Sequence, residues 1–459
     1  MRRTAAALGL LVAALALLPL ACRREPPRPR NVIFILVDTL RADHLGVYGY
    51  PRPTSPNLDA FARDAVVFRQ ARSQAACTYP SVNSILTSRY PAPFLGQPGQ
   101  ALGIPAAIPS IAEVLQARGY DTVAISASAV VRKSPSRFNP GGGFGRGFGL
   151  FHEDCVWKSA ACVNRAAFEH LRPLAEKTGK PLFLYLHYLD PHGPYAPPST
   201  FRGPFSGAPG AAQSDKNYIR AGNPNPIGDW LYKGAPDPGL TPADRQALID
   251  RYDDEIAFFD SEFAHLLARL REAGLLEDSI LVVAADHGEE FLEHGHIKHC
   301  RNLFDTSTHT PLLMRIPGVR PGEVAAPVEN VDIVPTLLDY LGIETAGLTL
   351  EGTSLRPLLS GKEEEGHRQY ASQGPWRAVS DGRFKLIHDL AAGNFALYDL
   401  QADPGEQRDV LRAERRTFHR LREDLTAWLG RAEGQWAASE SVKRGNEAEK
   451  KLRSLGYLE

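Results

Sequence analysis

The chain has almost no net charge: 52 Lys and Arg face 53 Asp and Glu across 459 residues, a formal charge of −1 at pH 7. That balance withholds the basic footprint that nucleic-acid binding requires and marks no strongly charged surface for another partner. No internal repeat is evident, so a repeat architecture is excluded. Five cysteines are present without a CxxC pair, which removes a structural zinc ribbon. The apolar run Ala5–Leu18 is too short for a membrane span.

What is present begins at the N-terminus. Residues 1–22 combine Arg2 and Arg3, that apolar run and small residues before Cys22, the pattern of a secretory signal peptide. Cys22 after Leu20-Ala21 resembles the lipidation site of bacterial lipoproteins, with the Pro-rich residues 23–30 as a tether, although Pro19 stands where Leu or Val is usual. The expected location is therefore periplasmic or cell-surface, with membrane contact only through this anchor. In an oxidising compartment Cys155 and Cys162 can close the short loop CVWKSAAC, with free buried thiols as the alternative.

From residue 31 onward, continuous apolar runs predict strands buried on both faces: NVIFILVD, TVAIS at 122–126, PLFLYLHYLD at 181–190, SILVVAADHG at 279–288 and PLLMRIP at 311–317. Between them SPNLDAFARDAV, PSIAEVLQARG and TPADRQALIDRYDDEIAFFDSEFAHLLARLREAG read as helices. The last has Thr241 as N-cap, Pro242 in the first turn and Gly274 as stop. The alternation predicts an α/β sandwich around a mostly parallel sheet over 31–360. RAVSDGRFKLIHD, NFALYDL and the helical RDVLRAERRTFHRLREDLTAWL predict a small C-terminal α+β subdomain over 361–435, followed by a charged tail, 436–459. Residues 200–240 read as a long surface excursion. The glycine-rich 139–151 lacks GxxxxGK[ST] and is expected to be a surface turn rather than a phosphate cradle.

Ligands gather at the carboxyl ends of strands in open α/β sheets. Asp38 ends one strand; Asp286 and His287 end another. Two carboxylates and an imidazole there suit a divalent cation, although a strand-end Asp often merely caps the next helix and a DH pair often marks a turn.

Their company carries a family resemblance. ILVDTLRADHLGVYGY, YPSVNSILTSRYP, FLYLHYLDPHGPYAPP, VVAADHGEEFLEHGH, VDIVPTLLDYLGI, and DGRFKLI with LYDLQADPGEQ follow in the order seen in sulfatase-type enzymes of the alkaline-phosphatase superfamily. The resemblance implies an alkaline-phosphatase-like sandwich in which Asp38, Asp286 and His287 bind one divalent ion and Thr78 completes its shell. It implies that His192 contacts the substrate oxyanion, and that His299 stands where sulfatases place a lysine or histidine. His187, Asp190 and His309 are weaker candidates, equally readable as satisfied polar residues at the sheet edge. Glu289, Glu290, His294 and His296 do not share one helical face as an HExxH would, so solvated loop residues are expected.

Departures from the family pattern redirect the chemistry. Sulfatases carry C-x-P-S-R, whose cysteine becomes formylglycine. Here Cys77-Thr78-Tyr79-Pro80-Ser81-Val82 puts Thr78 at that position and removes the arginine. Thr39 replaces a second aspartate, and AISASAVV replaces the segment with the sulfate-binding lysine and histidine. Relatives that act on phosphate esters use a threonine or serine there, so the expected activity is hydrolysis of a phosphomonoester, phosphodiester, phosphonate or sulfate ester through metal-bound Thr78. Zinc or manganese is favoured, with calcium or magnesium left open. The substrate is a small-molecule, glycan or lipid ester. Alternatives are a true sulfatase, a phosphoryl head-group transferase, or a non-catalytic binding protein.

Overall fold

Val32, Phe34 and Leu36 pack into one hydrophobic layer while Ile33, Ile35 and Val37 pack into another. Six consecutive apolar residues that alternate between two layers are the pattern of a strand covered on both faces. In the computed structural model this strand, β1 (Asn31–Val37), is interior to the main sheet. The structure describes residues 31–91, 103–136, 139–157, 159–177, 179–206, 239–361 and 366–433. The signal peptide, Cys22, the tether, most of the 200–240 excursion and the 436–459 tail lie outside them.

After β1 come α1 (Pro56–Ala62), β2 (Val66–Arg72), α2 (Thr78–Thr87), α3 (Ile111–Ala117), β3 (Asp121–Ser126), β4 (Leu150–His152), α4 (Ala160–Lys177) and β5 (Leu182–Tyr188). Then follow α5 (Pro242–Glu272), β6 (Ser279–Ala285), the short β7 (Glu290–Phe291) and β8 (Ile297–Lys298), β9 (Leu312–Arg315), β10 (Gly322–Glu329) and α6 (Ile333–Leu341). The described strands form one sheet in the order β10-β2-β9-β6-β1-β5-β3-β4, with β7 and β8 as a separate ribbon. Only β9 runs antiparallel to its neighbours. Apolar faces of α1, α4 and α5 cover one side; α2, α3 and α6 cover the other. This is the expected mostly parallel α/β sandwich.

The cap on α5 forms as expected. Thr241 and Asp244 exchange hydrogen bonds in a capping box, Pro242 opens the helix, and Gly274 follows it at φ +66°. Two expectations need correction. The segment read as one helix to Val66 is helical only to Ala62; Val66, Val67 and Phe68 then enter β2, because burial between β9 and β10 favours strand over helix. The glycine-rich 139–151 is no surface turn. Phe144 is fully buried edge-on to Tyr79, and a Cβ on Gly142 (φ +57°) would strike the backbone of Lys133 and Ser134.

The C-terminal meander comprises β11 (Gln369–Gln373), β12 (Trp376–Ser380), β13 (Phe384–Asp389) and β14 (Asn394–Asp399), followed by α7 (Arg415–Glu433). One face, with Val379, Leu386 and Leu397, packs on Phe418, Leu421, Leu425 and Trp428 of α7. The other, with Ala371, Ala378, Ile387 and Tyr398, packs on Ala76 and Leu303. Beside it Lys385, buried, lies 2.7 Å from Asp305 and 3.0 Å from Glu406.

Candidate active site

Val37 pairs with Tyr188 on one side and Ala285 on the other, all three parallel. The residues that follow those strands therefore emerge at one level of one sheet edge. Asp38 leaves β1 and Asp286 leaves β6 there. Thr39 turns the chain through the left-handed region (φ 59°), and its N–H, with that of His287, donates to Asp286 Oδ1 at 3.1 and 2.8 Å. Gly288 follows because a Cβ there would collide with the carbonyl of Thr306.

Ligand atoms of Asp38, Asp286 and His287 all lie within 4.8 Å of one another, and all three residues are buried. His287 Nδ1 is engaged by the Gly288 carbonyl at 2.9 Å, which directs Nε2 inward, 3.4 Å from Asp286 Oδ2 and 3.8 Å from Asp38 Oδ1. Burial, then the neighbouring Asp286 carboxylate, holds the Asp38 carboxyl well above its usual range. Burial depresses His287, but Asp286 and Asp38 outweigh it and leave the imidazole raised. Asp38 Oδ1, Asp286 Oδ2 and His187 Nε2 have no hydrogen-bond partner. Buried carboxylate oxygens and an imidazole nitrogen left without hydrogen bonds at one point are a donor set that a divalent ion would satisfy, so these residues fit one.

Thr78 is the first residue of α2, after Cys77 in extended conformation, and Cys77 makes no side-chain cap. Its hydroxyl lies 3.2 Å from His287 Nε2 at the positive end of a ten-residue helix. Cys77 is disulfide-bonded to Cys300, with Cα atoms 4.9 Å apart. Thr78 and His299 are thus each one residue from the same cross-link. The expected Cys155–Cys162 loop closure is also present.

His299 Nδ1 bonds Glu289 at 2.9 Å, and Tyr195 donates to the other Glu289 oxygen at 2.9 Å. Its ring lies 4.6 Å from that of His287 and 5.1 Å from that of His192. Burial, followed by the neighbouring His299, pushes His192 down to about 3. Burial, then His287 and Lys298, depresses His299 as well. His192 Nδ1 is engaged by the Gly193 carbonyl at 2.6 Å, so on both rings Nε2 is the nitrogen left to face a substrate.

Asp38, Thr78, Asp286, His287, His192 and His299 thus come together. His187 belongs with them and was undervalued from sequence: β5 is an interior strand, and His187 Nε2 lies 3.4 Å from Asp38 while Tyr185 OH holds its Nδ1 at 2.9 Å. Glu289 and Glu290 are buried rather than solvated, because β7 folds under the site; Glu290 binds His294 and Asn302. His296 is exposed as expected. His309 bonds the Arg69 carbonyl, away from the cluster.

Asp190 accepts from Ala160 N–H at 2.7 Å, and Glu255 accepts from Ala196 N–H at 2.6 Å. Burial, then Asp190, raises Glu255 well above its ordinary range, to about 9. Below pH 4.5 folded and unfolded chains both carry that proton. Between there and pH 9 only the folded chain does, so stability declines as pH rises. Melting temperature against pH should fall across this window in the wild type and flatten in Glu255→Gln; parallel curves would refute the proton held on Glu255.

The model of the sulfatase family matches residues 30–343, and a model described as N-sulphoglucosamine sulphohydrolase, C-terminal, matches residues 292–433. Arylsulfatase A of Homo sapiens is 25% identical over 480 residues, covering 86% of this chain and 86% of that protein. Choline-sulfatase of Rhizobium meliloti (strain 1021) is 32% identical over 162 residues, covering 34% of this chain and 31% of that protein. Among solved structures, a phosphonate monoester hydrolase from Silicibacter pomeroyi superposes with a TM-score of 0.67 at 22% identity, over 91% of this chain and 100% of that one. A 2-O GAG sulfatase superposes with 0.69 at 18% identity, over 92% and 96%. The two structural likenesses speak to the fold.

Proposed function

Because the chain belongs to the sulfatase family, we propose that it is a metal-dependent ester hydrolase whose nucleophile is Thr78 and whose substrate is a phosphomonoester, phosphodiester or phosphonate. The observation that carries this reading is the Thr78 hydroxyl, buried 3.2 Å from His287 Nε2 beside two carboxylates. Asp38, Asp286 and His287 would hold the ion, and the imidazole among the ligands suits zinc or manganese better than calcium. Such an ion, when bound, lowers the pKa of a coordinated hydroxyl and offsets charge on the transferring group.

Thr78 Oγ1 forms a bond to the central phosphorus as the leaving-group oxygen departs on the opposite side. The hydroxyl loses its proton and the departing alkoxide gains one. Water then cleaves the Thr78 ester and restores the hydroxyl. His192 and His299, protonated at Nε2 as the anionic substrate enters, donate hydrogen bonds to the oxygens on which charge develops.

The preference for phosphorus over sulfur follows from the nucleophile. A formylglycine hydrate sheds sulfate by elimination, whereas a threonine sulfate must be hydrolysed directly, a harder step. Cys77, bonded to Cys300, has no thiol to convert. The second reading, a sulfate ester, is favoured by the names of the relatives, arylsulfatase A and choline-sulfatase. Export with anchorage at Cys22 belongs to the same proposal, and two disulfides accord with an oxidising compartment.

The test is a panel of aryl sulfate, phosphomonoester, phosphodiester and phosphonate monoester substrates. A phosphorus ester should turn over fastest, and His192→Ala and His299→Ala should each slow it by about 10²–10³-fold. Turnover of the sulfate alone would establish the second reading, and near-wild-type kinetics in either variant would remove that histidine from the site.

A further inference from the structure

Trp157 is the residue that the chemistry above leaves unused. It is 42% exposed, and only Leu390 joins it as an exposed large hydrophobic among the described residues. Its backbone lies in the left-handed region at φ 60°, a conformation that costs a bulky residue energy and persists only where the surroundings impose it.

The surroundings do impose it. The Cys155–Cys162 bridge closes the loop, and Cys155 is fully buried. Trp157 N–H donates to the Ala127 carbonyl at 3.1 Å, just past the end of β3, and Ala127 N–H donates to His187 O at 3.0 Å. Ala160, at the other end of the loop, is held by Asp190, two residues before His192. Each anchor therefore leads back to the sheet edge that carries the site.

The indole ring lies 5.9 Å from the His192 ring. His192 in turn neighbours His299, and His299 neighbours His287. The rings form a file that runs from the buried cluster outward and ends at an exposed indole. His192, proposed above to hold the transferring group, is the member of that file next to the indole.

We propose that Trp157 is the leaving-group platform, selecting esters whose alcohol presents a flat apolar face, an aryl ring or a pyranose. This rests on the ester-hydrolase reading of the site. An exposed indole offers a large rigid apolar face on which a flat ring can stack.

The experiment compares phenyl, pyranosyl and methyl esters of one transferring group on wild type, Trp157→Ala and Trp157→Phe, each checked for an unchanged melting temperature. In Trp157→Ala the kcat/KM preference for phenyl or pyranosyl over methyl should fall about tenfold, equivalent to 1.4 kcal/mol, with Trp157→Phe recovering much of it. Loss with the phenyl ester alone identifies an aryl leaving group; loss with the pyranosyl ester alone identifies a sugar. An unchanged preference overturns the proposal, including the case in which all esters slow equally, since that reports only a structural role. If wild type turns over none of the esters, the hydrolase reading fails by itself. Binding of phenol and methyl glucoside, measured by saturation-transfer NMR on wild type and Trp157→Ala, then decides the platform: weaker binding in the variant supports it and equal binding overturns it.

Discussion

Thr78→Ala is expected to abolish turnover, while Cys77→Ala retains most of it. The alanine removes the hydroxyl 3.2 Å from His287 and leaves α2 otherwise intact, because Cys77 rather than Thr78 is its N-cap residue. If Thr78 had only a local structural part, the change would leave an active enzyme. Cys77→Ala removes a cross-link between residues 223 apart in sequence, so it lowers melting temperature more than rate. Mass spectrometry of the unreduced tryptic digest gives an independent answer. Residues 73–89 should appear joined to residues 299–301. Formylglycine at 77, or an inactive Cys77→Ala beside an active Thr78→Ala, would return the protein to sulfatase chemistry.

Asp286→Ala should lose bound metal altogether, against about one divalent ion per chain in the wild type. Elemental analysis measures this directly. Thermal unfolding gives a second readout: saturating metal at about 100 times its Kd stabilises a folded chain by about 2.7 kcal/mol. The wild type should therefore melt lower after chelation and the variant should not respond. Equal metal content in the two proteins would sink the assignment.

The central strands were legible because a parallel strand covered on both faces needs an unbroken apolar run, and β1, β5 and β6 supply one each. The same logic placed Asp38, Asp286 and His287 at the strand ends. β2 and β10 were not legible, since charged and polar residues interrupt both and the run before β2 continues a helical pattern. Local sequence also says little about burial that is set by layers far apart in the chain. Glu289 looks like a loop acid until Tyr195 and His299 close over it, and His187 looks like an edge residue until β3 appears outside β5. Cys77 and Cys300 are a different case: their nearness is expected if both flank one pocket, and the disulfide between them bears it out.

The inner face of the C-terminal sheet has a consequence in time. Ala76 and Leu303, next to Cys77 and close to His299, are covered by Ala371, Ala378, Ile387 and Tyr398. Those covering residues lie some 300 positions after Thr78 in sequence. Until the C-terminal sheet docks, the wall beside Thr78 faces water, so this end of the site is finished only when two distant parts of the chain meet.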